Sequence, residues 1–414
     1  MSNQACRILF VAYGSMATEG GYKTRVISEI ESIVKVNSNI NLSLVCFDEV
    51  KNLRSKQDAY DLLKNKLDSL GVKLTCYGIP SFKALWILKL ITGFYISLII
   101  LLEAIKGKVQ IIHAQNHVVG LYTLFTKIIT KKCVVLDVHG VRFAERIYKK
   151  RKRLEEYLWL DVIANYLEVW ILKKYDGLIF VSEAMAKFYN CTDKTRYKVV
   201  PCCVNTNKFK IFEKSEVLLK SRLDISERFI VTYSGTFFTI WQEPDDILQI
   251  FKEIKSKITN AYLLILSGDD CEKIKQFIFS KGILEKDFAV YKLKHDLVPQ
   301  WLSISNLGLL IRRPSVVNYA ASPTKFGEYL SCGVPVIISE NVGDFSQLVS
   351  ELQIGLIAQD NNGKITLNYS DLQKISLIEK DIISSHCRKV AIDFLDWSNH
   401  SLSIVNLYQS IINS

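Results

Sequence analysis

The sequence lacks the spacings by which several large protein classes are read. No CxxC pair or HExxH run occurs, so spacing signals neither a structural zinc site nor a zinc hydrolase. The GxGxxG dinucleotide fingerprint is missing, and so are repeats and low-complexity tracts. No recognised RNA or DNA module accompanies the basic residues, which argues against nucleic acid as a partner. The ten cysteines have no regular spacing, and neighbouring Cys202 and Cys203 cannot bridge to each other in ordinary geometry. With no cleavable signal at MSNQACRILF, they are expected to be core filler in a reducing cytosol. What is present is a globular composition: 414 residues, 49% apolar, pI about 9.0, enough for two or three domains. The positive charge is uneven. Residues 1–214 hold 33 Lys/Arg against 19 Asp/Glu, net +14, and residues 215–414 hold 20 against 23, net −3, which together give +11.

Strand-length apolar runs alternate with longer helical patterns from end to end. They fall at 7–13, 42–47, 72–78, 109–114, 132–140, 177–182 and 197–201, then at 229–235, 261–268, 287–293, 306–312, 334–339 and 354–359. Strands apolar on both faces, joined by helical crossovers, imply parallel sheets, so the reading is α/β with two doubly wound domains. Pro201 and the Asn-rich turn of VVPCCVNTNKFK mark the break. Residues 1–205 are expected to form the first domain and 206–394 the second, with a last helix of about 395–414 packing back on the first.

The sharpest chemical signal is SPTKFGEYLSCGVPVI, beginning at Ser322. Ser322 is placed to cap a helix whose first position is Pro323. The amides of Thr324 and Lys325 would then stand at the positive end of the helix dipole beside a lysine side chain, an arrangement suited to phosphate. Glu328 lies one turn deeper on the same face, where it can accept from a pair of sugar hydroxyls. A capped surface helix with a Lys325–Glu328 ion pair accounts for the same residues, and under either reading Gly333 ends the helix. Other candidates sit at strand ends, where open parallel sheets bind ligands. In GSMATEGGYKTRV, Gly20 and Gly21 would let a backbone approach a ligand, with Lys23 or Arg25 adding charge; a plain turn is the alternative. His113, His117 and His139 also stand at strand ends, each either turned to a cleft or satisfied structurally.

Taken in order, EGG (19–21), HAQ (113–115), DVHG (137–140), FVSEAM (180–185), VVPCCVNTNKF (199–209), YSGTF (233–237), LLILSG (263–268) and SPTKFGEYLSCGVPVI resemble a retaining glycosyltransferase of family 4. The resemblance runs along nearly the whole chain. It implies the GT-B fold: two Rossmann-like domains facing a central cleft, the first binding the acceptor and the second a nucleotide-activated sugar. Position by position, it implies that Glu328, the second Glu of the family's E-x7-E motif, holds the nucleotide ribose, and that Thr324 and Lys325 bind the diphosphate. It likewise implies that Gly20 and Gly21 approach the donor phosphates and that Gly235 and Thr236 form the turn where the nucleotide docks. His139 matches a catalytic-centre histidine that contacts the donor sugar. The implied enzyme is a hexosyltransferase that needs no metal and no cofactor beyond its donor. Charge on the leaving diphosphate would be met by Lys325, by Arg312 or Arg313, and by helix dipoles. The SPTKFGEYL version of the motif, preceded by GLLIRRPS (308–315), looks most like enzymes assembling bacterial capsule, O-antigen or exopolysaccharide units.

Two departures stand out. The first Glu of E-x7-E belongs at position 320, where this chain has Ala320, and the family's Arg and Lys after the glycine turn are missing from SGTFFTIWQEPDD. Arg312, Arg313 and Lys325 are expected to supply that charge, while Trp241 and Phe237 either stack on the base or pack. The cationic run RIYKKRKRLEEY (146–157), beside Trp and Tyr, favours attraction to anionic lipid headgroups, and the stretch ALWILKLITGFYISLIILLEAI (84–105) is very apolar. The apolar stretch is a core helix, an interfacial helix or a span, the last disfavoured by its place between two strands of one domain. The expectation is a cytoplasmic enzyme, peripheral at the inner face of the plasma membrane, moving sugar from a nucleotide sugar to a lipid-linked or other glycan acceptor. Ala320 keeps open a catalytically weak GT-B subunit that positions a partner enzyme. A nucleotide-sugar epimerase on the same fold would need a cleft carboxylate, for which Asp137 is the nearby candidate.

Overall fold

The computed structural model describes residues 6–413 apart from 19, 38, 81–85, 153–158 and 214–224. Glu19 of the glycine loop, the latter part of the cationic run 146–157 and the first two residues of the apolar stretch 84–105 therefore lie outside the described residues. The chain divides into two compact units. One holds Met1–Ile147, Glu156–Pro201 and Trp397–Ser414; the other holds Tyr148–Glu155 and Cys202–Asp396.

The first unit is built on β1 (Cys6–Tyr13), β2 (Ile40–Glu49), β3 (Lys73–Ile79), β4 (Ile111–Gln115), β5 (Cys133–Val138), β6 (Gly177–Phe180) and β7 (Tyr197–Val199). They form one parallel sheet in the order β3-β2-β1-β4-β5-β6-β7. The order reverses between β1 and β4, which opens a crevice beyond their carboxyl ends. Ile8 to Ala12 and Ile111 to Gln115 are buried throughout, as strands covered on both faces must be. The helix Gly21–Val36 buries Val26, Ile27, Ile30 and Ile33, a stripe at helical spacing. The last helix, Trp397–Asn413, lies against it and against β6. Gly177 opens β6 because a Cβ there would meet Leu407 and Ile411 of that last helix.

The second unit repeats the plan with β8 (Phe229–Ser234), β9 (Ala261–Leu266), β10 (Phe288–Tyr291), β11 (Leu307–Leu310), β12 (Val336–Ser339), β13 (Gly355–Asn361) and β14 (Lys364–Leu367). Their order is β10-β9-β8-β11-β12-β13-β14. Apolar layers cover both faces, with Leu264, Leu310, Phe326 and Tyr329 on one side and Val231, Phe251, Leu263 and Leu309 on the other. One strand corrects the all-parallel reading: β14 runs antiparallel to β13, pairing Ala358 with Leu367 and Asn361 with Lys364. Asn362 (φ 54°) and Gly363 (φ 84°) form its turn, both left-handed, as a tight type I′ hairpin requires. The Asn-Gly pair was the available signal. All ten cysteines are free thiols.

Candidate active site

In the second unit the site grows from the carboxyl end of β8. Gly235 follows that strand with φ +121°, a conformation side chains rarely adopt, and donates its amide to Leu266 O at 2.7 Å. A Cβ there would fall on Cε and Nζ of Lys325, so the glycine both makes the turn and clears room for the lysine. Lys325 Nζ donates to Tyr233 Oη at 3.0 Å and stands 4.4 Å from that ring's centroid. Tyr233 Oη in turn donates to Thr236 O at 2.6 Å, which fixes the turn. Asp269, beyond β9, accepts the amides of Phe237 (2.6 Å) and Phe238 (3.0 Å) and holds the loop that follows.

Lys325 belongs to the helix Thr324–Ser331, locked to the sheet by Tyr329, whose hydroxyl accepts the Ser234 amide at 2.8 Å. The capping residue is Pro323, not Ser322 as the sequence suggested: Ser322 Oγ instead accepts the amide of Cys202 at 2.8 Å. Phe326 donates to Pro323 O at 3.1 Å, which leaves the Thr324 and Lys325 amides at the start of the helix. Gly333 (φ +74°) closes its other end, donating to Leu330 O. The Lys325–Glu328 ion pair is not formed. Lys325 goes to Tyr233, while Glu328 Oε1 lies 3.8 Å from His295 Nε2 and stays partly open to solvent.

Arg312 follows β11. Its amide donates to Ser339 Oγ at 2.9 Å and its guanidinium donates to Trp241 O. Enclosure by protein and the Arg312 charge together push the Lys325 amine down to about 7, against the pull of Glu328 and Asp269. Arg313 has other partners: it forms a bidentate pair with Asp246 at 2.8 Å for each bond and donates to Gly363 O at 3.2 Å. The structure thus brings together Gly235, Thr236, Arg312, Thr324, Lys325 and Glu328, and ties Arg313 to the helix Pro244–Lys257 and the β13–β14 turn. Phe237 is buried among Tyr233, Phe238 and Phe277, so it packs. Trp241 stacks on Tyr148 of the same unit at 5.3 Å and 18°. Ala320, where the motif's first Glu would stand, is 1% exposed.

In the first unit the strand-end residues form one buried polar row. Arg25 does not offer its charge outward. It is 3% exposed, clamps both oxygens of Asp137 (2.8 and 2.9 Å) and donates to Val200 O and Pro201 O. Burial opposes charge on Asp137, but Arg25 and then His139 outweigh it and hold the carboxyl well below the usual range. His139 Nε2 donates to Asp137 Oδ2 and Gln115 Oε1, each at 2.9 Å. Both neighbours accept, so the proton sits on Nε2 and Nδ1 is the nitrogen left for a ligand. Gln115 is oriented by donating to Glu29 Oε2 at 2.8 Å, and burial, with Asp137 nearby, pushes Glu29 up to about 8. His113 is fully buried against Phe10, 2.5 Å from Tyr408 Oη of the last helix, and burial pushes it down to about 3. It is a core histidine. His117 lies 3.0 Å from Glu168.

Gly20 has an extended backbone and open space where a Cβ would point, so neither sterics nor φ demands glycine there. Gly21 opens the helix beside it. Carboxylate and imidazole atoms of Glu29, His113 and Asp137 lie within 4.8 Å of one another. Arg25 already occupies both Asp137 oxygens, so a metal ion would have to displace it. Sequence reasoning missed Tyr233, Gln115 and Glu29. Tyr233 ends a strand immediately before the glycine turn, which was a usable signal, whereas Glu29 has no local mark.

The model of Glycosyltransferase Family 4 matches residues 58–208, and that of Glycosyl transferases group 1 matches residues 217–367. No curated protein sequence matches significantly. Among solved structures, sucrose-phosphate synthase from Thermosynechococcus elongatus superimposes with a TM-score of 0.72 at 15% identity, over 99% of each chain. Anabaena Alr3699/HepE in complex with UDP gives 0.68 at 15% identity, covering 98% of this chain and 100% of the other. WaaG, a glycosyltransferase involved in lipopolysaccharide biosynthesis, gives 0.63 at 10% identity, covering 97% and 99%. These likenesses establish the two-unit fold as GT-B.

Proposed function

Because the chain belongs to glycosyltransferase family 4, we propose that it moves a sugar from a nucleotide-diphosphate donor to a lipid-linked glycan, with retention and without a metal, in bacterial surface polysaccharide assembly. The observation that carries this reading is Lys325: a lysine at a helix start, with a depressed pKa and Arg312 at its side, waits for an anion. A diphosphate would restore its full charge and meet the Thr324 and Lys325 amides. Glu328, one turn on, would accept from the ribose hydroxyls, and Gly235 and Thr236 would face the nucleotide. HepE was solved with UDP and with UDP-glucose, which supports a nucleotide sugar as donor here.

In the reaction the bond from the anomeric carbon to the diphosphate oxygen breaks, and the acceptor oxygen bonds to the same face. Its proton passes to the departing phosphate. Arg25 and His139 occupy Asp137, which speaks against it as a base and so against the epimerase reading. His139 would offer Nδ1 to a hydroxyl of the donor sugar. Cytoplasmic residence at the inner membrane face follows from a lipid-linked acceptor and a soluble donor. A second reading, a binding subunit with weak turnover, rests on Ala320.

Labelled nucleotide sugars incubated with a membrane extract test both. Labelled glycolipid is the expected product, and binding without turnover would favour the second reading. Replacing Lys325 with Ala is expected to lower turnover about 100-fold or more; unchanged turnover would remove the lysine from the mechanism.

A further inference from the structure

The helix Trp86–Lys106 has two apolar sides, and its own unit covers one of them. Gly93, Ile96, Ser97, Ile100 and Ala104 are buried. On the opposite side Ile91, Phe94, Leu98, Leu102 and Ile105 are exposed, spaced by three or four residues and so aligned in one stripe. The stripe continues onto the helix His117–Thr130, which exposes Leu121, Ile128 and Ile129. The two helices sit close: Gly93 leaves room for the Tyr122 ring, and the Phe94 and Phe125 rings meet at 6.1 Å. Contiguous exposed apolar side chains of this kind mark interaction surfaces.

The stretch Leu88–Lys106 is long and apolar enough to cross a bilayer, with mean hydropathy 2.0. It does not span one here. Its flanking strands β3 and β4 belong to one parallel sheet, and the buried side of the helix is packed against that sheet's own unit. Both helices return antiparallel to the strands, so their carboxyl ends lie at the same edge. Lys106 and Lys108 stand at the end of one, Lys131 and Lys132 at the end of the other, and Lys132 Nζ donates to Val109 O across the gap. Asp176 pairs with Lys127 at 2.7 Å and Glu103 accepts from Tyr77 Oη at 2.7 Å, and with these two acids set against the five lysines the edge keeps a net positive charge.

We propose that this face is an in-plane docking surface for an anionic lipid bilayer, the stripe entering the acyl boundary and the exposed Lys106, Lys108 and Lys131 meeting headgroup phosphates. It deepens the lipid-linked acceptor reading and rests on it for its purpose only. Vesicle binding is read without donor or turnover, so either can fail while the other stands.

The full chain is mixed with vesicles of phosphatidylcholine alone, or with about one third phosphatidylglycerol, and pelleted. At least tenfold stronger partition to the anionic vesicles is expected, weakening with salt. The double replacement Leu98→Gln with Leu102→Gln should weaken binding about tenfold or more. Lys106→Glu with Lys131→Glu should erase the preference for anionic lipid. Leu284→Gln, at a still more exposed apolar position in the second unit, should change nothing. Full binding by the leucine variant overturns the proposal. So does light scattering in which that variant turns a dimer into a monomer, since the face then belongs to a second copy.

Discussion

A lysine that has lost most of its basicity makes its site sensitive to pH in a definite direction. Below about 7 both folded and unfolded chains carry the proton on Lys325, and the folded one bears the whole cost of confining it. Between about 7 and the ordinary lysine value of 10.5 the folded chain has released the proton and the unfolded chain has not, so this residue's contribution to stability improves as pH rises through that window. A diphosphate bound there would reverse the release. Calorimetry of nucleotide binding at pH 8, repeated in buffers of different ionisation enthalpy, is therefore expected to show proton uptake approaching one per site, and Lys325→Met should abolish it. Lys325, Glu328 and Gly235 are legible in the sequence because each role is local, a helix start, one turn of spacing and a sharp bend. The role of Arg313 is not, since Asp246 lies far from it in the chain and only the fold brings their side chains together.

At the scale of elements, Arg313 behaves as a tie. It holds the helix Pro244–Lys257 through Asp246 and the β13–β14 turn through Gly363 O. Arg313→Ala should lower stability by about 1–2 kcal/mol in a denaturant titration, because part-buried Asp246 loses both bonds, while Lys325→Ala leaves stability unchanged or raises it. The thirteen strand-length runs read from the sequence all appear as strands, since double-faced burial writes itself as continuous apolar residues. β14 escaped because an edge strand of four residues has half its surface in water and no such run. Helix ends were less legible than helix bodies: Ser322 has a capping side chain, yet Cys202, distant in sequence, supplies the amide it accepts.

For the whole molecule, the proline and polar turn that interrupt the rhythm put the expected end of the first domain at 205, and the two units part between Pro201 and Cys202. Nothing in the sequence signals that the stretch from Tyr148 groups with the second unit, which depends on contacts distant in sequence. The first unit is discontinuous, and its last helix is not a trimming. Tyr408 faces His113, Trp397 lies under the Arg25 guanidinium at 5.8 Å, and Leu407 and Ile411 fill the space Gly177 leaves. A chain stopped after Asp396 should therefore lose amide protection across β1, β4 and β6 in hydrogen exchange, while β8, β9 and β11 keep theirs.

That last helix also sets a timetable during synthesis. Residues 6–201 leave the ribosome first, yet the row from Arg25 to His113 remains unroofed until 397–413 have followed, almost two hundred residues later. The second unit, nearly contiguous in the chain, reaches its full set of contacts before the first does. The helix start at Thr324 is thus in place earlier than His139 and the row around it, and a nascent chain holds its incomplete unit open to chaperones for almost half of translation.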